Sequence, residues 1–244
     1  MIRYILTVIT VVGFLVLSIP VLLLFALLGK WWPAQIDRLS LRIIQTVFKF
    51  CLFIAGVKTT IIGEENVPTD RAVLYVGNHT SFYDILLTYS RVPRLTGFVA
   101  KISMKKIPLL STWMKRLHCL FLDRTNIKEG LKMVLAAIEQ IKSGISIFIF
   151  PEGTRCETPE NMLPFKEGSF KIAEKSGAPI VPVTLVNASA IFEQQFPRIK
   201  KSHVVIEYGT PIYTKDLEPS VRKSLAPYIQ NIIATTYQKN KELL

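Results

Sequence analysis

The sequence predicts an α/β protein: a mixed, largely parallel sheet flanked by helices, preceded by an N-terminal membrane-associated two-helix motif. Three observations lead there. Residues 5–28 carry no charge. After Val57, short β-rich runs alternate with stretches of helical periodicity, the pattern of a sheet with helices packed on it. The runs VLYVG at 73–77, SIFIF at 146–150 and VPVTLV at 181–186 are almost continuously apolar, which suits strands covered on both faces.

The uncharged run lies between Arg3 and Lys30. About 20 apolar residues suffice to cross the hydrocarbon core, so its length permits a span. It exceeds the roughly 7–15 residues of a signal-peptide core, and no small-x-small cleavage site follows it. Pro20 argues for a kink or a shallow hairpin rather than a straight rod. A second segment, 36–57, is amphipathic, with Arg38, Arg42 and Lys49 set among leucines, isoleucines and phenylalanines. Trp31 and Trp32 between the segments favour the headgroup level. Residues 1–57 therefore read as a membrane-seated helix pair; the alternative is a hydrophobic helix packed on its own domain.

Residues 58–244 read as one α/β domain. Strands are expected at 58–62, 72–77, 95–100, 119–122, 145–150, 180–186 and 203–208. Helices are expected at 82–90, 111–116, 127–142, 169–176 and 220–241. In the 127–142 helix, Leu131, Val134, Leu135, Ile138 and Ile141 recur at helical spacing, and Gly144 stops it.

Thirty Lys and Arg against 18 Asp and Glu leave a net charge of +12. Nucleic acid and anionic membrane are the usual partners of such a balance. No zinc-finger spacing or aromatic strand-binding motif is present, so membrane lipids are the expected partner and nucleic acid is not. Seven bases and no acid lie in 85–122: Arg91, Arg94, Lys101, Lys105, Lys106, Lys115 and Arg116. That stretch suits lipid headgroups or an anionic substrate. The three cysteines fit no metal spacing and read as free thiols in a reducing compartment; no metal site is expected.

The chemistry concentrates in GNHTSFYD at 77–84. Ser81 fits a helix N-cap, and Asp84 three residues on completes a capping box. In one continuous helix, five steps of about 100° would set His79 and Asp84 roughly 140° apart. With His79 in the preceding turn, its imidazole folds back onto the carboxylate. The acid then holds one tautomer, and the other ring nitrogen is free to take a proton from a hydroxyl. IFPEGTR at 149–155 follows an expected strand: Gly153 allows close backbone approach, and Arg155 offers a planar fork for an anion. Lys166 sits at a further helix start in PFKEGSF, where free amides suit phosphate, and Arg124 follows the strand in FLDRTN. Taken alone, Asp84 reads as a capping acid, His79 as a hydrogen-bonded surface residue, and 149–155 as a tight turn with an Arg–Glu surface pair.

Together the motifs show a resemblance. NHTSFYD resembles the His-x4-Asp motif of the glycerolipid acyltransferases, FPEGTR their Pro-Glu-Gly-Thr-Arg motif, and LFLDR their arginine-bearing motif. IVPVTL at 180–185 resembles the fourth, with Pro182 matching. The four occur in family order over 79–185, and Lys101 and the Ile107-Pro108 pair also fit. Length and N-terminal helices are similar to those of bacterial 1-acyl-sn-glycerol-3-phosphate acyltransferases.

The resemblance implies that His79, oriented by Asp84, deprotonates the sn-2 hydroxyl of lysophosphatidic acid. The oxygen attacks the thioester of acyl-CoA or acyl-carrier protein, and phosphatidic acid results. No cofactor and no covalent acyl-enzyme are implied. Arg124, Glu152, Gly153, Thr154 and Arg155 would form the acceptor site, with Lys101 and Lys166 beside it. Backbone amides near Gly153 or in the His79 turn are both open as oxyanion donors. One departure stands out: His118 occupies a position where the family commonly has a small residue, and a bulky side chain there is expected to reshape the acceptor pocket. His203 lies outside every motif and reads as structural, and nothing near Cys156 would activate it as a nucleophile.

Competing readings are an acyltransferase for another lysophospholipid, such as lysophosphatidylglycerol, and a membrane-surface lipid-binding protein without turnover. Lys and Arg are far more numerous after Lys30 than before residue 5, which places the catalytic domain at the cytoplasmic face of the cell membrane. Trimming 1–57 is expected to lower activity on membrane substrates far more than it disturbs 58–244.

Overall fold

The N-terminal segment folds as α1 (Ile2–Leu17), α2 (Ile19–Leu28) and α3 (Pro33–Ala55) in a computed structural model that describes residues 1–158 and 161–244. Helices α1 and α2 meet at 43°, where Pro20 enters the first turn of α2. Proline has no N–H to continue the preceding ladder, so one helix ends and another begins. The bend is tied down by a buried 2.9 Å hydrogen bond from Trp113 Nε1 to Ser18 Oγ. No single helix among the described residues is long and apolar enough to cross a membrane; only this bent pair reaches the length and composition. Gly56, at φ 70°, closes α3 with a left-handed cap.

The remaining elements are β1 (Lys58–Ile62), β2 (Leu74–Gly77), α4 (Tyr83–Tyr89), β3 (Thr96–Lys101), α5 (Pro108–Arg116), β4 (Leu120–Leu122), α6 (Ile127–Lys142), β5 (Ser146–Ile149), α7 (Lys171–Ser176), β6 (Ile180–Val186), β7 (His203–Tyr208), α8 (Pro219–Arg222) and α9 (Leu225–Lys241). The strands form one sheet in the order β1-β7-β6-β2-β5-β3-β4. Every pairing is parallel except β6 with β7. The carboxyl ends of β6, β2, β5, β3 and β4 therefore share one edge, the edge at which open α/β sheets place ligands.

Alternate residues of the strands feed two cores. Tyr75, Phe98, Phe148, Val181 and Val183 pack with the helices on one face; Leu74, Val76, Ile147, Ile149 and Ile180 pack with α6, α7 and α9 on the other. The first core includes Leu22, Phe25, Ile36, Leu41 and Ile44 from the N-terminal helices, beside Leu87, Tyr89 and Trp113. Residues 1–57 and 58–244 thus share one core. Each such buried side chain contributes about 1.5–3 kcal/mol, so removing 1–57 uncovers the first face of the sheet. That differs from the expectation that trimming would leave 58–244 little disturbed.

Two helices depart from their expected form. In α6 the buried stripe is Met133, Ala137, Ile138 and Ile141, while Leu131 and Leu135 face outward at 61% and 54% exposure. The expected 220–241 helix is two helices, because Pro227 tolerates only a first turn. Glu167 caps the second: its carboxylate accepts the Leu225 and Ala226 amides, both at 3.1 Å.

Candidate active site

The end of β2 is spliced to its neighbour before the chain turns. The Asn78 side chain donates to Leu185 O and accepts from Leu185 N, at 2.9 and 2.8 Å. The next residue, His79, is held at four points. Its amide donates to Glu152 Oε1 at 2.7 Å, and its carbonyl accepts from Cys156 N at 2.7 Å. Its ring stacks on Phe150, with centroids 4.2 Å apart and planes 16° from parallel. Nδ1 lies 2.8 Å from Asp84 Oδ2.

Asp84 sits in the first turn of α4 and is fully buried. The same Oδ2 accepts from the Thr80 and Ser81 amides, at 2.7 and 2.8 Å. Ser81 Oγ accepts the Tyr83 amide at 3.0 Å. Cap and orienter are therefore one oxygen in two roles. A carboxylate only accepts, so Nδ1 carries the proton of the neutral ring and Nε2 presents its lone pair. Nε2 has no partner among the described residues, and the side chain keeps 14% exposure. Burial pushes the adjacent Tyr83 phenol up to about 12.

Glu152, expected at the acceptor, faces inward. It is 4% exposed, and its oxygens accept the amides of His79 and Leu163. Burial raises its carboxyl above the usual range, against the lowering effect of those two amides. Its role in this geometry is to fix the His79 backbone. Gly153 closes a turn at φ 77°, with its N–H on Phe150 O at 3.0 Å. A Cβ there would come within 2.8 Å of Lys166 Nζ, so the ammonium lies over the turn. Replacing Gly153 with alanine is expected to destabilise the protein by about 1–2 kcal/mol, the strain of a left-handed L-residue. The flexible Lys166 would swing away. A thermal melt and the KM for the acceptor check both effects.

Arg155 lays its guanidinium 3.6 Å above the Phe82 ring and reaches Glu193 Oε1 at 3.3 Å. Glu193 was not anticipated; it also accepts from Phe82 N and Ser81 Oγ, each at 2.7 Å. No local pattern could have revealed it, since it lies 112 residues from Ser81. Lys101 ends β3, opposite Leu122, and Arg124 follows β4. At about 4.8 Å per strand, they stand roughly 10 and 14 Å along the edge from the strand of His79. Thr154 is exposed in the turn. The structure thus gathers Gly153, Arg155 and Lys166 near the pair and sets Lys101 and Arg124 further along.

Further expectations change with the geometry. Of the two places open for oxyanion donors, the His79 turn is used up within the protein: His79 on Glu152, Thr80 and Ser81 on Asp84, as is the Gly153 amide itself on Phe150. Among the described residues, the Thr154 and Arg155 amides keep no such partner. His118 does not crowd the pocket through its imidazole. Its ring turns to α3, with Nε2 2.7 Å from Asp37 Oδ2, and its φ of 58° is one that a glycine adopts freely. His203 pairs with Thr60 Oγ1 at 2.8 Å, on the far edge of the sheet. The buried Cys156 thiol contacts the carbonyls of Thr158 and Asn161, both at 3.2 Å.

An apolar groove of about 280 Å³ opens beside Phe82. Tyr4, Val8 and Val11 of α1 form one wall, and Tyr83, Leu86 and Phe192 the other.

At this end of the sheet the His79–Asp84 pair stands beside the cationic groups of Arg155 and Lys166. Residues 58–186, more than half of the chain, match the Acyltransferase family, and the chain belongs to that family. It is 32% identical over 197 residues to the 1-acyl-sn-glycerol-3-phosphate acyltransferase of Saccharomyces cerevisiae, covering 80% of this chain and 63% of the yeast protein. It is 34% identical over 155 residues to the protein of the same name from Borreliella burgdorferi, covering 64% and 62%. The chain therefore spans a little under two thirds of the length of these two relatives. The crystal structure of PlsC, the 1-acyl-sn-glycerophosphate acyltransferase of Thermotoga maritima, shares the fold with a TM-score of 0.83 at 24% identity, over 98% of this chain and 95% of that one.

Proposed function

We propose that the chain transfers an acyl group from acyl-CoA or acyl-carrier protein to the sn-2 hydroxyl of lysophosphatidic acid, giving phosphatidic acid. The observation that carries this is the His79–Asp84 pair, its Nε2 open at a sheet edge beside Arg155 and Lys166. His79 Nε2 takes the hydroxyl proton as the oxygen attacks the thioester carbonyl. The tetrahedral intermediate collapses, the carbon–sulfur bond breaks, and the imidazolium returns the proton to the departing thiolate. Arg155 grips the acceptor phosphate, with Lys166, Lys101 and Arg124 adding positive potential along the edge.

The acceptor is reached from a membrane. Ile2, Ile9, Val12, Leu17, Leu23 and Phe53 are each more than half exposed, and Trp31 and Trp32 flank them. Apolar surface of that extent suits a lipid phase. Phe82 lines the groove between α1 and α4 and carries Arg155 over its ring, so the lysolipid keeps its tail in apolar surroundings while its glycerol meets His79. The basic balance after Lys30 supports the cytoplasmic face, where acyl thioesters are made available.

The test is thiol release by the purified chain in detergent, with a panel of lysolipids and donors. Lysophosphatidic acid should be the best acceptor. Arg155→Ala should raise its KM by about 10–100-fold, the loss of a hydrogen bond to a charged group, with a smaller change in kcat. Thiol release with none of the acceptors, alongside intact vesicle binding, would instead make the protein a lipid-binding module. Equal use of lysophosphatidylglycerol would reassign the acceptor.

A further inference from the structure

We propose that Glu193 is a positioning residue for acyl transfer, joining the anion clamp to the turn that carries the proton acceptor. The inference rests on the reading of Arg155 as the acceptor's phosphate ligand. Glu193 lies in a short turn beyond β6, outside every motif that identifies the family. Its carboxylate is 22% exposed and holds three donors from two other segments. Oε2 accepts from Ser81 Oγ, and Oε1 accepts from the Phe82 amide and from Arg155 Nη1.

Each contact acts on the site. The Phe82 amide is among the donors that the start of α4 leaves without an intrahelical partner, and Glu193 satisfies it. Ser81 gives its proton to Glu193, which leaves its oxygen lone pairs for the Tyr83 amide. Ser81 and Phe82 lie between His79 and Asp84 in the chain, so this hold sets the turn that brings imidazole and carboxylate together. The third contact acts on Arg155. Its guanidinium has the Phe82 ring beneath it and Glu193 at one nitrogen. A planar fork held at its face and at one corner has its direction set before a ligand arrives. Nε and Nη2 have no partner among the described residues, so those donors remain for an anion. The dyad and the clamp are thus referenced to one carboxylate.

The experiment is steady-state thiol release by the full chain in detergent, varying lysophosphatidic acid and acyl-CoA separately, for wild type, Glu193→Gln, Glu193→Ala, Arg155→Ala and the Arg155→Ala/Glu193→Gln pair. Glu193→Gln keeps an acceptor for Phe82 and loses the charge beside Arg155. It should raise the KM for lysophosphatidic acid about threefold to fivefold, the scale of a partly exposed ion pair. Its kcat should stay within about twofold, and the KM for acyl-CoA should not move. Glu193→Ala should also lower kcat about tenfold, since the Phe82 amide and the part-buried Ser81 hydroxyl both lose their acceptor and the turn that carries His79 loosens. In the Arg155→Ala background, Glu193→Gln should add nothing to the KM, the non-additivity of residues acting through one contact. A lower KM in Glu193→Gln would overturn the proposal, because the carboxylate would then be competing with the phosphate. So would additive effects with Arg155→Ala, or losses in kcat and both KM values that track the melting temperature. A wild type that releases no thiol would remove the acyl-transfer reading and this inference with it; an active wild type with unchanged Glu193 variants would remove the inference alone.

Discussion

Replacing His79 with alanine is expected to lower kcat for acyl transfer by about 10²–10⁴-fold, the usual contribution of a positioned general base, while the protein stays folded. The reason for expecting such a clean separation is how His79 is held. Two of its four restraints are backbone bonds, to Glu152 and Cys156, and these survive the substitution. Asp84 loses the imidazole but retains the Thr80 and Ser81 amides. The ring stack on Phe150 is lost at a site already 14% exposed. A stability loss of about 1 kcal/mol follows, on the scale of one hydrogen bond and one ring pair. Thiol release and a thermal melt measure the two quantities side by side. Residual activity above about a tenth of wild type would place the proton acceptor elsewhere, since an imidazole that contributes so little is not a general base.

What the sequence disclosed about this arrangement was local, and what it concealed was long-range. All seven strands begin and end within two residues of their expected positions; the wholly buried β2, β5 and β6 are short apolar runs between turn residues. The His79–Asp84 contact was legible for a similar reason: both partners sit in one turn, and only the folded-back geometry brings them together. Strand order is set by packing across the whole chain, which is why the antiparallel pairing of β6 with β7 had no local signature. The exposed Leu131 and Leu135 show the limit of periodicity. An apolar stripe shows that a helix has a face; which neighbours cover it depends on tertiary packing. The amides of the site tell the same story. Chemistry made them candidates for an oxyanion, but Asp84, Glu152 and Phe150 engage those of His79, Thr80, Ser81 and Gly153, which leaves Thr154 and Arg155. Glu193 and Trp113 act on segments far away in sequence, and each does so through a single side chain.

The second large effect is expected at Asp84, where two substitutions separate the roles that one oxygen combines. In Asp84→Asn the amide oxygen can replace Oδ2 and accept the Thr80 and Ser81 amides, so the turn should persist. What is lost is the negative charge that would stabilise an imidazolium. The nitrogen also falls where Oδ1 now lies buried without a partner. A fall in kcat of about 10³-fold is expected, within the range assigned to general-base catalysis, with a stability loss of about 1–3 kcal/mol for one unsatisfied buried group. Asp84→Ala instead strands three donors at once in a fully buried turn. It should cost at least about 3 kcal/mol and broaden or abolish the melting transition. If Asp84 served only as a cap, the asparagine variant would keep most of its rate, and the two variants would differ in stability alone. If it serves the imidazole as well, asparagine should be nearly as inactive as alanine while remaining far more stable, because hydrogen-bond acceptance alone cannot replace a charge when the neighbouring ring takes up a proton.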